Sequence, residues 1–197
     1  MSFYTEGQRE AQRHADSERL ASGMAERIVH DRLTASDRAF IEARDMFFLA
    51  TVDSRGQANC SYKGGEPGFV RVVDERTIAF PNYDGTGMFL SVGSIADSGE
   101  VGLLFIDFEG QSRMRLNGTA TVNYEDPLLA EYPEAQAIVR VTAREVFPNC
   151  PRYIHKMELV ERSTYVPKAD CETPQPEWKQ AFADVLPAND PSRRGRE

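Results

Sequence analysis

Gly85 and Gly87 stand two residues apart in "PNYDGTGMFLSVGS", residues 81–94, after an apolar run and ahead of apolar residues at helical spacing. Glycines at such a junction let bare backbone N–H groups approach an anion, and a helix N-terminus adds partial positive charge. The chemistry on offer is phosphate binding, with the Thr86 hydroxyl as a further donor. As a motif the pair is incomplete. The third glycine of the dinucleotide fingerprint is missing and no Gly-Lys-Ser/Thr follows, so a tight turn before a helix explains the same residues. A second glycine-rich stretch, "SYKGGEPGFVRV", supplies cations. Lys63 precedes Gly64-Gly65, and Arg71 shares one strand face with Phe69 while Val70 and Val72 take the other. A cation at the inner or rim face of a sheet must be paired, here by Asp74 or Glu66, or else by a phosphate, which arginine grips with two donors at once.

Elements of two kinds must position these residues. Residues 1–45 are charged, with Leu20, Met24 and Ile28 at helical spacing, and Ser36 is the expected N-cap of a short helix in "TASDRAFIEARD". From Met46 to about Val122 the period changes to two. "MFFLATVDSRGQANCSY" and "GFVRVVDERTIAF" each read as strand, turn, strand. Met88, Phe89, Val92 and Ile95 are spaced for one face of a helix that begins near Thr86 to Met88 and ends at Ser98-Gly99. "EVGLLFIDF", almost wholly apolar, is expected to be buried on both faces. "SRMRLNGTATVNY" and "AIVRVTAREVFP" complete the strands, with a helical turn or two in "EDPLLAEYPEAQ" between them. A short amphipathic helix is expected around Trp178 to Leu186, followed by a polar tail holding Arg193, Arg194 and Arg196. Six or seven strands joined by short turns exclude parallel crossovers and favour a small antiparallel barrel, which removes exposed edges.

Composition narrows the function. With 197 residues, 41% of them hydrophobic, the chain can bury a real core. No run approaches the roughly 18 apolar residues of a membrane span and the N-terminus has no signal-peptide centre, so a cytoplasmic protein is expected. A formal net charge of −8 argues against general nucleic-acid binding, while leaving room for one basic pocket. The cysteines, Cys60, Cys150 and Cys171, and the histidines, His14, His30 and His155, are too scattered to encode a disulfide framework or a metal site. Cys60 and Cys150 read as packed thiols, and Cys150, with Arg152 close in sequence, is the better candidate for a reactive one.

The segment "FFLATVDSRGQANCSYKGGEPGFVRVVDERTIAFPNYDGTGMFLSVGSIADSGEVGLLFIDF", followed by "RLNGTATV" and "NCPRYIHK", resembles the FMN-binding split-barrel proteins related to pyridoxamine 5'-phosphate oxidase, from about Met46 to Lys156. The resemblance implies a homodimer with FMN at its interface. It places Phe69, Val70, Arg71 and Val72 of "GFVRV" beside the flavin. It also places Phe80, Pro81, Tyr83, Gly85, Thr86, Gly87 and Met88 of "FPNYDGTGM" at the next strand end and the phosphate loop, with Ser91 one turn on. The chemistry of the residues agrees. Arg71, Lys63, Thr86 and loop N–H groups suit a dianion, and Tyr83, Met88 or Phe69 could line an apolar slot. A positive charge at the pyrimidine end, from Arg152, His155 or Lys156, would stabilise anionic reduced flavin, unless these three are only surface groups.

Two departures from the family pattern bear on function. Gly85-Thr86 and Gly93-Ser94 stand where Gly-Asn is usual, which keeps a hydroxyl and loses an amide's paired donor and acceptor. No Arg-x-His segment follows Lys156, so oxidation of vitamin B6 itself is not expected. The expected fold is thus mainly β with peripheral helices, an antiparallel Greek-key split β-barrel. Residues 1–45 form a helical extension, 46–166 the FMN-binding domain, and 167–197 a C-terminal helix and tail. The expected function is an FMN-dependent oxidoreductase acting on an undetermined small molecule, with no catalytic side chain identifiable. The alternatives are a non-catalytic flavin- or haem-binding module, for which His155 or Cys150 would be the axial ligand, and a deazaflavin-dependent reductase.

Overall fold

Short local signals fix the first hairpin. In this computed structural model, which describes residues 3–193, the Asp53 carboxylate accepts the backbone N–H groups of Arg55 and Gln57, each at 2.9 Å. Gly56 takes a φ of 76°, and the chain turns from β1 (Met46–Val52) into β2 (Ala58–Gly64). Asp74 does the same for the next turn, accepting from the N–H groups of Arg76 and Thr77 between β3 (Arg71–Val72) and β4 (Thr77–Asn82). The strands β5 (Glu100–Asp107), β6 (Ser112–Asn123) and β7 (Ala137–Asn149) complete one antiparallel sheet in the order β2-β1-β5-β6-β7-β4-β3.

That sheet is curled. β1 and β4 lie four strand spacings apart, about 19 Å if the sheet were flat, yet the rings of Phe47 and Phe80 meet at 5.0 Å between centroids. Phe47 also packs on Phe69 at 5.8 Å and Phe105 at 5.2 Å. These rings sit in a core shared with Leu49, Val70, Ile78, Leu103, Leu116 and Val141. The edges β2 and β3 are consecutive in sequence and joined by residues 65–70. Phe69 plugs this seam so closely that a Cβ on Gly65 would lie 2.4 Å from its ring. The split barrel expected from the sequence is the architecture found.

Three helices precede it: α1 (Glu6–His14), α2 (Glu18–Ile28) and α3 (Ala35–Glu42). The cap of α3 is Thr34, not Ser36, because Thr34 and Asp37 exchange side-chain and backbone hydrogen bonds as a capping box. Glu42 closes the β3 edge by accepting the Val72 N–H at 3.0 Å. Elsewhere the structure corrects the sequence reading. β3 is only two residues long, since Gly68 at φ 88° turns the chain and Phe69 and Val70 serve as core rather than strand. α4 (Leu90–Ser98) starts after Phe89, whose backbone is left-handed at φ 47°. Met88 and Phe89 are therefore exposed, while Val92 and Ile95 are buried as expected. In β5 only alternate residues are buried, so one face remains partly open.

The chain divides into two compact units, Met1–Glu158, which holds the barrel and α1–α3, and Leu159–Glu197. Within the second, the helix expected around Trp178 is a short 3₁₀ segment, Glu177–Phe182. Its Lys179 is buried against Asp190 at 2.8 Å. Arg194 and Arg196 lie outside the described residues.

Two predictions follow from the barrel wall. At the bulge between Asn117 and Gly118, a Cβ on Gly118 would lie 2.1 Å from the Thr142 carbonyl oxygen. Gly118→Ala is therefore expected to destabilise the protein by about 1–3 kcal/mol, read as a lower denaturant midpoint at an unchanged slope. An unshifted midpoint would contradict this contact. Second, the buried Asp126 carboxylate accepts Arg140 Nε and Nη2 at 2.6 and 2.9 Å. The Arg140 hydrogen bond is the largest cause holding the Asp126 pKa down. Its stabilisation is present above the unfolded pKa of about 3.9 and is lost as pH falls through the lowered folded value. In urea titrations from pH 6 to pH 2, Asp126→Asn is expected to flatten the acid limb, and parallel curves would show the pair to be uncoupled from folding.

Candidate functional site

Arg71 emerges at the rim of the barrel, in register with Ala79 on β4. Its partner is neither Asp74 nor Glu66 but Glu131, sixty residues away, whose Oε2 accepts from Nη1. The guanidinium also lies over the Tyr132 ring, 5.1 Å from its centroid, a cation–π contact. The Glu131 hydrogen bond is the main cause that raises the Arg71 pKa.

The segment carrying Glu131 and Tyr132 is pinned at both ends. At its start Asp126 caps a 3₁₀ turn, Pro127–Glu131, by accepting the Leu128 N–H at 3.0 Å. At its end the Gln136 N–H donates to the Asn82 carbonyl at 2.8 Å, and Gln136 Nε2 donates to Asp84 Oδ1 at 3.3 Å. The segment therefore runs from Arg71 to the glycine loop.

Tyr132 is only 6% exposed, and its phenol oxygen has no hydrogen-bond partner. Burial, ahead of the opposing charge of Arg71 and the negative charges of Glu131 and Glu42, raises its pKa. Tyr83 is half-buried close by. Burial first, then Tyr132 and Glu134, push its phenol up to about 12, so both phenols are neutral donors at physiological pH. An unpartnered buried donor costs on the order of 1–3 kcal/mol. Such a group is the residue type that a bound polar ligand satisfies.

Lys63 occupies the opposite edge. It sits across from Phe47 in the β1–β2 register, on the inward side of the strand, and is half-buried. Desolvation lowers its pKa, and no hydrogen bond or ion pair reaches its ammonium among the described residues. A half-buried cation without a counter-ion is an electrostatic vacancy for an anion.

The remaining expected residues fall into three groups. Phe69, Val70, Val72, Phe80 and Pro81 are buried, the first four in the core, and form the wall behind the rim rather than its accessible face. Gly85, Thr86, Gly87 and Met88 lie in an exposed irregular stretch ahead of α4. Gly87 there has φ 74°, a backbone that favours glycine. Ser91 is buried in the first turn of α4. Arg152, His155 and Lys156 are exposed in an extended segment, which Gln111 Nε2 pins to the Ile154 carbonyl at 2.8 Å and the Met157 N–H pins to that of Phe108 at 3.3 Å.

The structure also corrects the reading of Cys60 and Cys150 as packed thiols, since both are exposed, as is Cys171. Cys150 accepts from Arg152 Nε at 3.0 Å, and the backbone N–H of Arg152, followed by that guanidinium, lowers the Cys150 pKa. Glu131 and Tyr132 were not legible as site residues. Their one local signal is the Asp126-Pro127 cap, which marks a turn but not what the turn faces.

The arrangement sets a carboxylate-paired guanidinium over the ring of one buried phenol, with a second, half-buried phenol close by. No curated protein matches the chain. Among solved structures it is similar to HupZ from Group A Streptococcus, at 20% identity and a TM-score of 0.48 over 64% of this chain and 98% of that one. An FMN-binding protein from Syntrophomonas wolfei subsp. wolfei is similar at 11% identity and a TM-score of 0.45, over 72% and 96%. HutZ, the heme storage protein from Vibrio cholerae, is similar at 15% and 0.43, over 59% and 94%. The family model for pyridoxamine 5'-phosphate oxidase matches residues 33–162, which contain every strand of the barrel and the whole Arg71 rim. The chain belongs to the pyridoxamine 5'-phosphate oxidase family.

Proposed function

We propose that this protein binds FMN at the Arg71 rim and acts in the cytoplasm as an oxidoreductase on a small molecule other than a B6 vitamer. The reading rests chiefly on one observation: an arginine at the barrel rim stands over a tyrosine whose buried hydroxyl has no partner. FMN suits those groups. Arg71, Lys63 and the N–H groups of the Gly85–Gly87 loop would hold the phosphate, and Tyr83 and Tyr132 would offer donors and ring surface. A bound flavin supplies hydride or electron transfer at its ring, and the protein's own part is to bind it, orient it and limit water.

No side chain at the rim is assigned as an acid or base, because the phenols are held neutral and Arg71 is already paired. A second copy of the chain is part of the proposal. Met88, Phe89 and Leu90 are consecutive, large and exposed, in keeping with burial against a partner at a shared cofactor site. The three exposed free thiols are consistent with a reducing compartment. A haem-binding reading draws on Cys150, whose thiol Arg152 biases toward the thiolate form that ligates iron.

The test is retention of flavin after purification and dialysis. Arg71→Ala is expected to lower FMN affinity by about tenfold to a hundredfold, the usual loss for a charge-assisted pair, while Arg194→Ala leaves it unchanged. Equal retention in both variants would remove Arg71 from the phosphate site. Tyr132→Phe is expected to weaken FMN binding without lowering the melting temperature of the flavin-free protein, because the hydroxyl it deletes has no partner there. A drop in that temperature would assign the hydroxyl a structural role instead.

A further inference from the structure

Arg71 is not free to meet a phosphate. Glu131 already neutralises it, and Glu42 contributes further negative charge. At Arg71 as it stands, a phosphate dianion would meet a guanidinium already paired with one carboxylate and influenced by a second, which leaves little attraction at that position. Either the anion seat is elsewhere or one carboxylate leaves.

The two carboxylates differ in how firmly they are held. Glu42 accepts the Val72 N–H at 3.0 Å and Arg38 Nη1 at 3.2 Å, so moving it would uncap the β3 edge. Glu131 is half-exposed, and its carboxylate is tied to Arg71 alone among the hydrogen bonds found. The backbone around it is fixed by Asp126 at one end, by Gln136 at the other and by buried Tyr132 between them. Its side chain can therefore turn outward into water while the segment stays in place.

We infer that Glu131 is a resident substitute for the ligand's phosphate: it occupies Arg71 in the free protein, and the incoming phosphate displaces it. The exchange trades a carboxylate for a dianion with more acceptor oxygens and frees Glu131 to be solvated. Every phosphorylated ligand must compete with Glu131, so apparent affinity is scaled down by the fraction of molecules in which the carboxylate has left. A neutral flavin has no such competitor. Glu131 is thus a specificity-determining residue that narrows the preference for FMN over riboflavin. The inference rests on the FMN reading proposed above.

The experiment titrates flavin-free wild-type protein, Glu131→Gln, Glu131→Ala and Arg71→Ala with FMN and with riboflavin at fixed ionic strength, following quenching of flavin fluorescence. Glu131→Gln is expected to bind FMN about tenfold more tightly and riboflavin within about twofold of wild type. Glu131→Ala should follow it in direction, and at a half-exposed position neither change threatens folding. If Arg71→Ala loses FMN while both Glu131 variants bind it no better than wild type, the exchange is wrong and the phosphate site stands. If Arg71→Ala binds FMN as wild type does, the phosphate site is wrong and the exchange falls with it. Equal tightening for FMN and riboflavin would make Glu131 a steric lid rather than a charge competitor, and would also overturn the inference.

Discussion

An antiparallel sheet of seven strands has two edges, and the fate of those edges governs everything else in this molecule. Phe47 stacks on Phe69 and meets Phe80 edge to face, which draws the sheet round until β2 and β3 flank a seam only six residues long. Without that aromatic cluster Lys63 and Arg71 would lie at opposite ends of a flat sheet, about 29 Å apart at the usual strand spacing. With it, the edges that carry these two cations, eight positions apart in sequence, are bridged by residues 65–70. Gly65 is the steric condition of the closure, because any side chain there would displace the Phe69 ring.

Closure creates an electrostatic problem as well as a site. Arginine and lysine at a barrel rim are half-desolvated and need counter-charges. The chain treats the two differently: Glu131 satisfies Arg71, while Lys63 is left with a depressed pKa and no partner among the described residues. The orphaned hydroxyl of Tyr132 belongs to the same pattern. The Tyr132 hydroxyl is one of several buried polar atoms without a partner among the described residues, and it belongs to the residue whose ring Arg71 covers. A protein of net charge −8 thus carries two cations at the facing ends of its sheet.

Most of the frame was legible in the sequence because its signals are local. Alternation of apolar residues marked the strands, and Asp53 and Asp74 announced the turns that their side chains close. Where local signals misled, tertiary packing won. "GFVRV" reads as a strand, but Phe69 and Val70 are claimed by the core and only Arg71 and Val72 pair. Met88 and Phe89 have helical spacing, but the left-handed backbone at Phe89 delays α4 to Leu90. The site was legible only in part. Arg71, Lys63 and Tyr83 stood out by type and position, whereas Glu131 and Tyr132 act through a contact sixty residues long in sequence, which no periodicity encodes.

The most direct measurement is the absorption spectrum of the freshly purified protein, with any cofactor released by heat and weighed by mass spectrometry. Flavin absorption bands together with released FMN are the expected result. A colourless protein that also fails to bind added FMN, or one that instead shows a haem Soret band, would contradict the flavin site at Arg71.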